Sequence, residues 1–150
     1  MKIRDIMTKD PACCTPDSTV QHAAQMMADC DCGEIPVAEK GHLVGVITDR
    51  DIACRVDAKG KSSMQVKVRD IMSKPVITVP LDSDVDECCQ VMRTARIRRV
   101  PVVDAQGCCC GIVSQADIAC RSSETQTGRV VHDISQPTAD ASHAREMAAV

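Results

Sequence analysis

The sequence predicts an α/β (α+β) fold built from two copies of one small unit, each running strand–helix–strand–strand–helix, packed as a pseudo-twofold pair. Three observations predict it. Ile3-Arg4-Asp5-Ile6-Met7 returns as Val68-Arg69-Asp70-Ile71-Met72 at an offset of 65, and residues 45–55 return as 111–121 at an offset of 66. Within each copy the apolar spacing changes in the same order, from helical to strand-like. A unit of this size cannot bury both faces of its sheet alone, so the copies must cover each other.

Taken in chain order, each copy opens with a short extended segment, 12–15 in the first and 76–79 in the second. Ser18 with Gln21 has the spacing of a capping box, and Ser83 with Asp86 is a weaker version of it. The helix that follows carries Val20, Ala23, Ala24 and Met27 at i, i+3, i+4 and i+7. Its copy carries Val85, Cys88, Cys89 and Met92 at the same spacing, one apolar stripe in each. Two β-like runs come next, 35–38 and 43–47, parted by the turn-like Glu39-Lys40-Gly41-His42. The second copy gives 100–103 and 108–113 around Asp104-Ala105-Gln106-Gly107. A final helix starts near Asp49 and near Gln115.

These elements divide the chain into a first repeat (1–55), a linker (56–67) with Lys59-Gly60-Lys61-Ser62-Ser63, a second repeat (68–121) and a polar tail (122–150). The tail loses its period, Pro137 breaks it, and 135–150 reads as loose or as a frayed helix. A net charge of −3 and the lack of any Phe, Tyr or Trp argue against nucleic acid, which needs basic patches and stacking platforms. No apolar run is long enough to span a membrane and none at the N-terminus resembles a secretory signal, so the expectation is a cytoplasmic protein.

The closing stretch of each copy holds the candidate chemistry. It reads Gly45-Val46-Ile47-Thr48-Asp49-Arg50-Asp51 and Gly111-Ile112-Val113-Ser114-Gln115-Ala116-Asp117. A glycine at a strand end lets a ligand approach the backbone. A hydroxyl just before a helix caps it or meets an anion at the first amides. Thr48 and Ser114 are therefore candidates for phosphate or sugar, and Asp51 and Asp117 for both hydroxyls of a ribose. Plain helix capping explains the same residues. Arg93, Arg96, Arg98 and Arg99 precede the second Pro-Val strand, where the first copy has Cys30, Gly33 and Glu34. Arg98 and Arg99 are the phosphate candidates, against the alternative of a solvated charged face.

The doubled pattern resembles the CBS domain, named for cystathionine β-synthase, and most of all the small bacterial proteins made of one CBS pair. The matching residues are Arg-Asp-Ile-Met followed by Thr8 or Ser73, the Pro-Val strand and the closing motif, across roughly residues 3–121. The resemblance implies a regulatory module without catalysis and without an obligatory cofactor. It implies a cleft between repeats that binds AMP, ADP, ATP or another adenosyl compound, a homodimer, and a separate effector protein. It also implies an adenine slot from Ala12, Cys13, Ile35 and Pro36 in one repeat and Ile77, Thr78, Val100 and Pro101 in the other.

Eleven cysteines carry the rival reading, a thiol-based redox or metal-responsive protein, with Cys30 and Cys32 as the reactive candidates; a ligand-free structural adaptor is the third. The blander account is that cysteine fills core volume that aromatic residues usually fill. No zinc-type spacing is present, so no metal site is expected. His22, His42, His132 and His143 fall on positions expected to be exposed.

Overall fold

The computed structural model of the chain describes residues 1–137. After a single 3-10 turn at Ile3–Asp5, strand β1 (Thr8–Lys9) precedes helix α1 (Val20–Cys30), strands β2 (Glu34–Glu39) and β3 (His42–Thr48), and helix α2 (Asp49–Arg55). The second half repeats the order with the short helix α3 (Val68–Ile71), β4 (Val79–Pro80), α4 (Val85–Ala95), β5 (Arg99–Val103), β6 (Cys109–Ser114) and α5 (Gln115–Arg121). A last helix, α6 (Glu124–Ile134), has no counterpart in the first half.

Both amphipathic helices bury the stripe expected of them. Val20, Ala23 and Met27 of α1 and Val85, Cys88, Cys89 and Met92 of α4 are buried. Their caps lie one residue later than the spacing suggested. Thr19 caps α1 by accepting the His22 amide (3.1 Å), because Ser18 turns back to accept the Thr15 amide (3.1 Å). At α4 the cap is Asp84, whose own amide donates to Glu87 (2.9 Å).

The sheets show that the repeats exchange their leading arms. β1 pairs antiparallel with β6 of the other repeat, giving the order β1-β6-β5-β4. In the mirror arrangement Ser73 bridges Val46 of β3, and Cys14 forms a single parallel bridge to Val37 of β2. The amide of Ile3 donates to Ser83 O (3.0 Å), as that of Val68 does to Ser18 O (2.8 Å). Accordingly Ile3 and Ile6 are buried in the core of the second repeat, with Val85, Met92, Val100 and Val113. Val68 and Ile71 are buried in that of the first, with Val20, Ile35, Val37 and Ile47. Sequence repeat and packed unit thus differ by one exchanged arm each.

The exchange gives the motif glycines a role other than the one expected. A Cβ on Gly45 would sit 2.6 Å from Met72 Sδ and 3.3 Å from the Ser73 carbonyl oxygen. One on Gly111 would collide with Met7 in the same way. Each glycine therefore makes room for the methionine of the other repeat's arm.

The stretch expected to be a polar tail contains α6. Ser123 caps it by accepting the Gln126 amide (3.2 Å), and Val130 and Ile134 are buried against α4 and α5. Residues 138–150 of that stretch, with His143, lie outside the described residues. Among the described residues no helix is long and apolar enough to cross a membrane.

Candidate functional site

The two motif turns meet where the repeats face each other. The Thr48 hydroxyl accepts the Asp51 amide (3.0 Å) while the Asp51 carboxylate accepts the Thr48 amide (3.1 Å). Ser114 and Asp117 do the same at 3.2 and 2.7 Å. Both motifs are thus complete capping boxes, so the capping alternative is realised in full. Capping leaves acceptor capacity on a carboxylate, so it does not preclude a ligand.

The two aspartates differ in what else they hold. Asp51 is the one buried charged residue among those described. The Ser73 hydroxyl is 3.1 Å from both of its carboxylate oxygens, and Arg55 Nη1 is 3.6 Å from Oδ1. Asp117 is half-buried and, among the described residues, bonds only within its own cap, through Oδ2. Ser73 belongs to the exchanged arm, so the aspartate of the first motif is bonded to the second repeat's arm, whereas among the described residues Asp117 has no such partner from the first repeat's arm.

Between the turns lies a cleft of about 740 Å³ whose lining includes Thr48, Asp51, Ser73, Arg98, Arg99 and Ser114. Glu34 belongs to its wall and also to a neighbouring cleft of about 340 Å³, more apolar, that Ala12, Ile35 and Pro36 line with Cys30 and Cys32. The structure therefore joins Thr48, Asp51, Ser114, Arg98 and Arg99 in one cleft and Ala12, Ile35 and Pro36 in the next. Cys13 lies beside the second cleft without lining it. Asp117 does not line the first, although Gln115 and Ala116 of its turn do. Ile77, Thr78, Val100 and Pro101 line neither cleft; Val100 and Pro101 are sealed in the core and Ile77 is exposed.

The walls carry opposite charge. Glu34 and Arg99 occupy equivalent positions, each paired across its hairpin with the motif hydroxyl residue, Thr48 or Ser114. Asp49 and Gln115 are likewise equivalent, their amides donating to Gly33 O (3.0 Å) and Arg98 O (2.8 Å). The first wall is thus predominantly acidic (Glu34, Asp49 and Asp51, with Arg50) and the second basic (Arg96, Arg98, Arg99). Burial pushes the Glu34 carboxyl up to about 7, with Arg99 pulling the other way and Asp51 and Asp49 adding to the rise. Its Oε1 is buried without a hydrogen-bond partner. Sequence reading noted the arginines but missed Glu34, whose only signal was its alignment with Arg99.

The final turn of α6 closes one end of the cleft with Ile134. Arg93 pairs with Asp133 of the helix (2.5 Å) and Arg96 Nη1 donates to Pro137 O just beyond it (2.9 Å), so two of the four arginines hold the helix and its exit. The available signal was Ser123-x-x-Gln126 ahead of Val130 and Ile134, a capping-box spacing before an i, i+4 apolar pair.

The core-filling account of cysteine holds for Cys14, Cys88 and Cys89, which are buried, and fails for Cys13, Cys30, Cys54 and Cys120, which are exposed. Burial raises the Cys32 thiol, which opposes its ionisation. Among the described residues no group of three or more His, Cys, Asp or Glu is placed to hold a metal ion.

A duplicated fold with exchanged arms and a cleft between its two motif turns defines a two-repeat module. The sequence profile of the CBS domain matches residues 3–57 and 68–124, and the chain belongs to that family as a tandem pair. The CBS domain-containing protein YhcV of Bacillus subtilis is 37% identical over 134 residues, 89% of this chain and 94% of that protein. The crystal structure of Hypoxic Response Protein I with two coordinated zinc ions superposes with a TM-score of 0.75 at 31% identity, covering 82% of this chain and all of that one (100%). The CBS domain pair of protein MJ0100, in complex with 5′-methylthioadenosine and S-adenosyl-L-methionine, superposes with a TM-score of 0.72 at 32% identity. That match covers 79% of this chain and 97% of that one.

Proposed function

We propose that the protein senses an adenine nucleotide in the cleft between its repeats and passes the bound state to a separate effector protein, acting as a homodimer. The observation that carries the reading is the joining of two unlike clefts at Glu34. One is apolar and suits a base (Ala12, Ile35, Pro36); the other offers hydroxyls, a carboxylate and guanidinium groups for a sugar and phosphates. Asp51 would take the ribose, since Ser73 has one proton to share between its two oxygens and leaves acceptor capacity. Arg98 and Arg99 would take phosphate oxygens as charge-assisted forks. The adenosyl ligands bound by the MJ0100 pair support the adenosine half of this reading. No catalytic step is proposed; burial of the Asp51 carboxylate among donors suits holding a ligand.

The test is the thermal unfolding midpoint with AMP, ADP, ATP, NAD, S-adenosylmethionine and 5′-methylthioadenosine. Ligand at about a hundred times its dissociation constant stabilises by roughly 2.7 kcal/mol, a readable shift. The phosphorylated ligands are expected to raise the midpoint. Arg99→Ala is expected to weaken them about 10- to 100-fold while leaving 5′-methylthioadenosine, which has no phosphate, unchanged. No shift with any of the six overturns the reading.

A further inference from the structure

Helix α6 and the cleft between the repeats share side chains. Ile134, in the last turn of the helix, is packed in the core with Ile118 and Val130 and also forms part of the cleft wall. Arg96 follows α4 in the left-handed conformation (φ 54°) and lines the same cleft. Its Nη1 nevertheless donates to Pro137 O, 2.9 Å away at the exit of α6. Arg93, one turn earlier, ties Asp133 to α4 (2.5 Å) and does not line the cleft. Two cations therefore hold the end of α6, and one of them faces the site.

We propose that α6 reports the state of the cleft: an anion bound there takes Arg96 from Pro137, and the last turn of the helix loosens. This rests on the phosphate half of the reading above and not on its adenine half. The direction follows from the two acceptors. Pro137 O is a neutral carbonyl oxygen at an exposed contact, whereas a phosphate oxygen is charged, and a charge-assisted hydrogen bond is about twice as strong. The guanidinium fork also matches two phosphate oxygens at once, which a single carbonyl does not offer.

The change stays local. Val130 is sealed in the core and keeps the helix docked on α4 and α5, so loosening is confined to residues 131–137. There the amides of Ser135 and Gln136 donate to Val131 O (3.1 Å) and Asp133 O (3.3 Å), bonds that open more often once the exit is no longer held. The coupling is reciprocal: if an anion loosens the exit, loosening the exit by other means strengthens anion binding.

Hydrogen–deuterium exchange of the full chain, read in peptides spanning 131–137, tests this with inorganic tripolyphosphate and with ATP as probes. Either probe at saturation is expected to speed exchange there roughly 3- to 10-fold, the loss of one hydrogen bond's worth of protection. Arg96→Gln is expected to show the fast rate without a probe and no further change with one. Arg93→Met separates the coupling from plain charge. Losing a cation weakens anion binding if the arginines act by charge alone. Here it frees the exit and is expected to tighten tripolyphosphate about 3- to 10-fold in a calorimetric titration. Unchanged or slower exchange in 131–137 while ATP binds overturns the proposal and leaves the nucleotide reading standing. Weaker or unchanged binding by Arg93→Met overturns it too. Tripolyphosphate that binds as tightly as ATP and speeds exchange supports the proposal while removing adenine from the reading. Failure of both probes to bind overturns the two together.

Discussion

The two repeats share a backbone and differ in three places that matter: what covers them, which charge lines their mouth and how their aspartate is held. α6 lies over α4 and α5 of the second repeat, so Ile118 is fully buried. Its equivalent Ile52 on α2 is half-buried, and among the described residues the first repeat has no counterpart of α6. Arg99 stands where the first repeat has Glu34, and Asp51 is tied to the exchanged arm where Asp117 is not. A duplication starts with two equal mouths. Here divergence has produced one mouth suited to anions and one that is acidic and more tightly built.

The largest effect should separate the covered from the uncovered face. Ile118→Ala empties a sealed site among Val130 and Ile134 and is expected to cost about 2–5 kcal/mol. Ile52→Ala, at a site already open on one side, should cost about 1 kcal/mol. Urea unfolding midpoints at constant slope measure both. Equal costs would mean that α6 adds no cover, and the comparison would fail at its first point.

How much of this could be read beforehand follows from the same contrast. Helix stripes and strand runs were legible because burial imposes the spacing of Val20, Ala23 and Met27, or of Val100 and Val102, on the sequence itself. The caps slipped by one residue because adjacent hydroxyl residues, Ser18 and Thr19, can each take the post, and a turn had claimed Ser18. α6 was missed because Thr125, Thr127 and Gly128 dilute a pattern with only two buried apolar residues. The arm exchange was illegible in principle. An apolar arm announces that it will be buried, but near-identical repeats give no sign of which core receives it. Half of the candidate site was legible through the doubled motif; Glu34 was not, since an acid reads as surface until the fold half-buries it.

Charge at the mouth gives the next effect. Glu34 keeps its proton in the folded chain up to about pH 7, whereas an unperturbed carboxyl loses it near 4.5. Between these values the folded state binds the extra proton, so stability is full below pH 4.5 and falls as pH rises to 7. Glu34→Gln removes that loss and is expected to stabilise the protein by about 1–3 kcal/mol at pH 8, with little change at pH 4.5. Arg99→Met takes away the one attraction that holds the carboxyl down, so it should push the loss to higher pH. Thermal midpoints from pH 4 to 9 read both variants. A Gln variant whose pH profile parallels that of the parent would remove the acidic wall from the account.

The smallest effect concerns the arm. Ser73 and Thr8 are equivalent residues at the ends of the exchanged arms, both paired to the strand of the other repeat that leads into its motif. Only Ser73 directs its hydroxyl to the motif aspartate, 3.1 Å from each oxygen of a carboxylate that is buried, whereas Thr8 is exposed. Ser73→Ala removes a donor from a buried charge and is expected to cost about 1–2 kcal/mol. Thr8→Ala is expected to stay within about 0.5 kcal/mol of the parent. Pairing each with its aspartate in a double-mutant cycle isolates the contact. Ser73 and Asp51 should couple and Thr8 and Asp117 should add independently. If both pairs coupled alike, the two aspartates would be held the same way, and the difference between the mouths would reduce to charge alone.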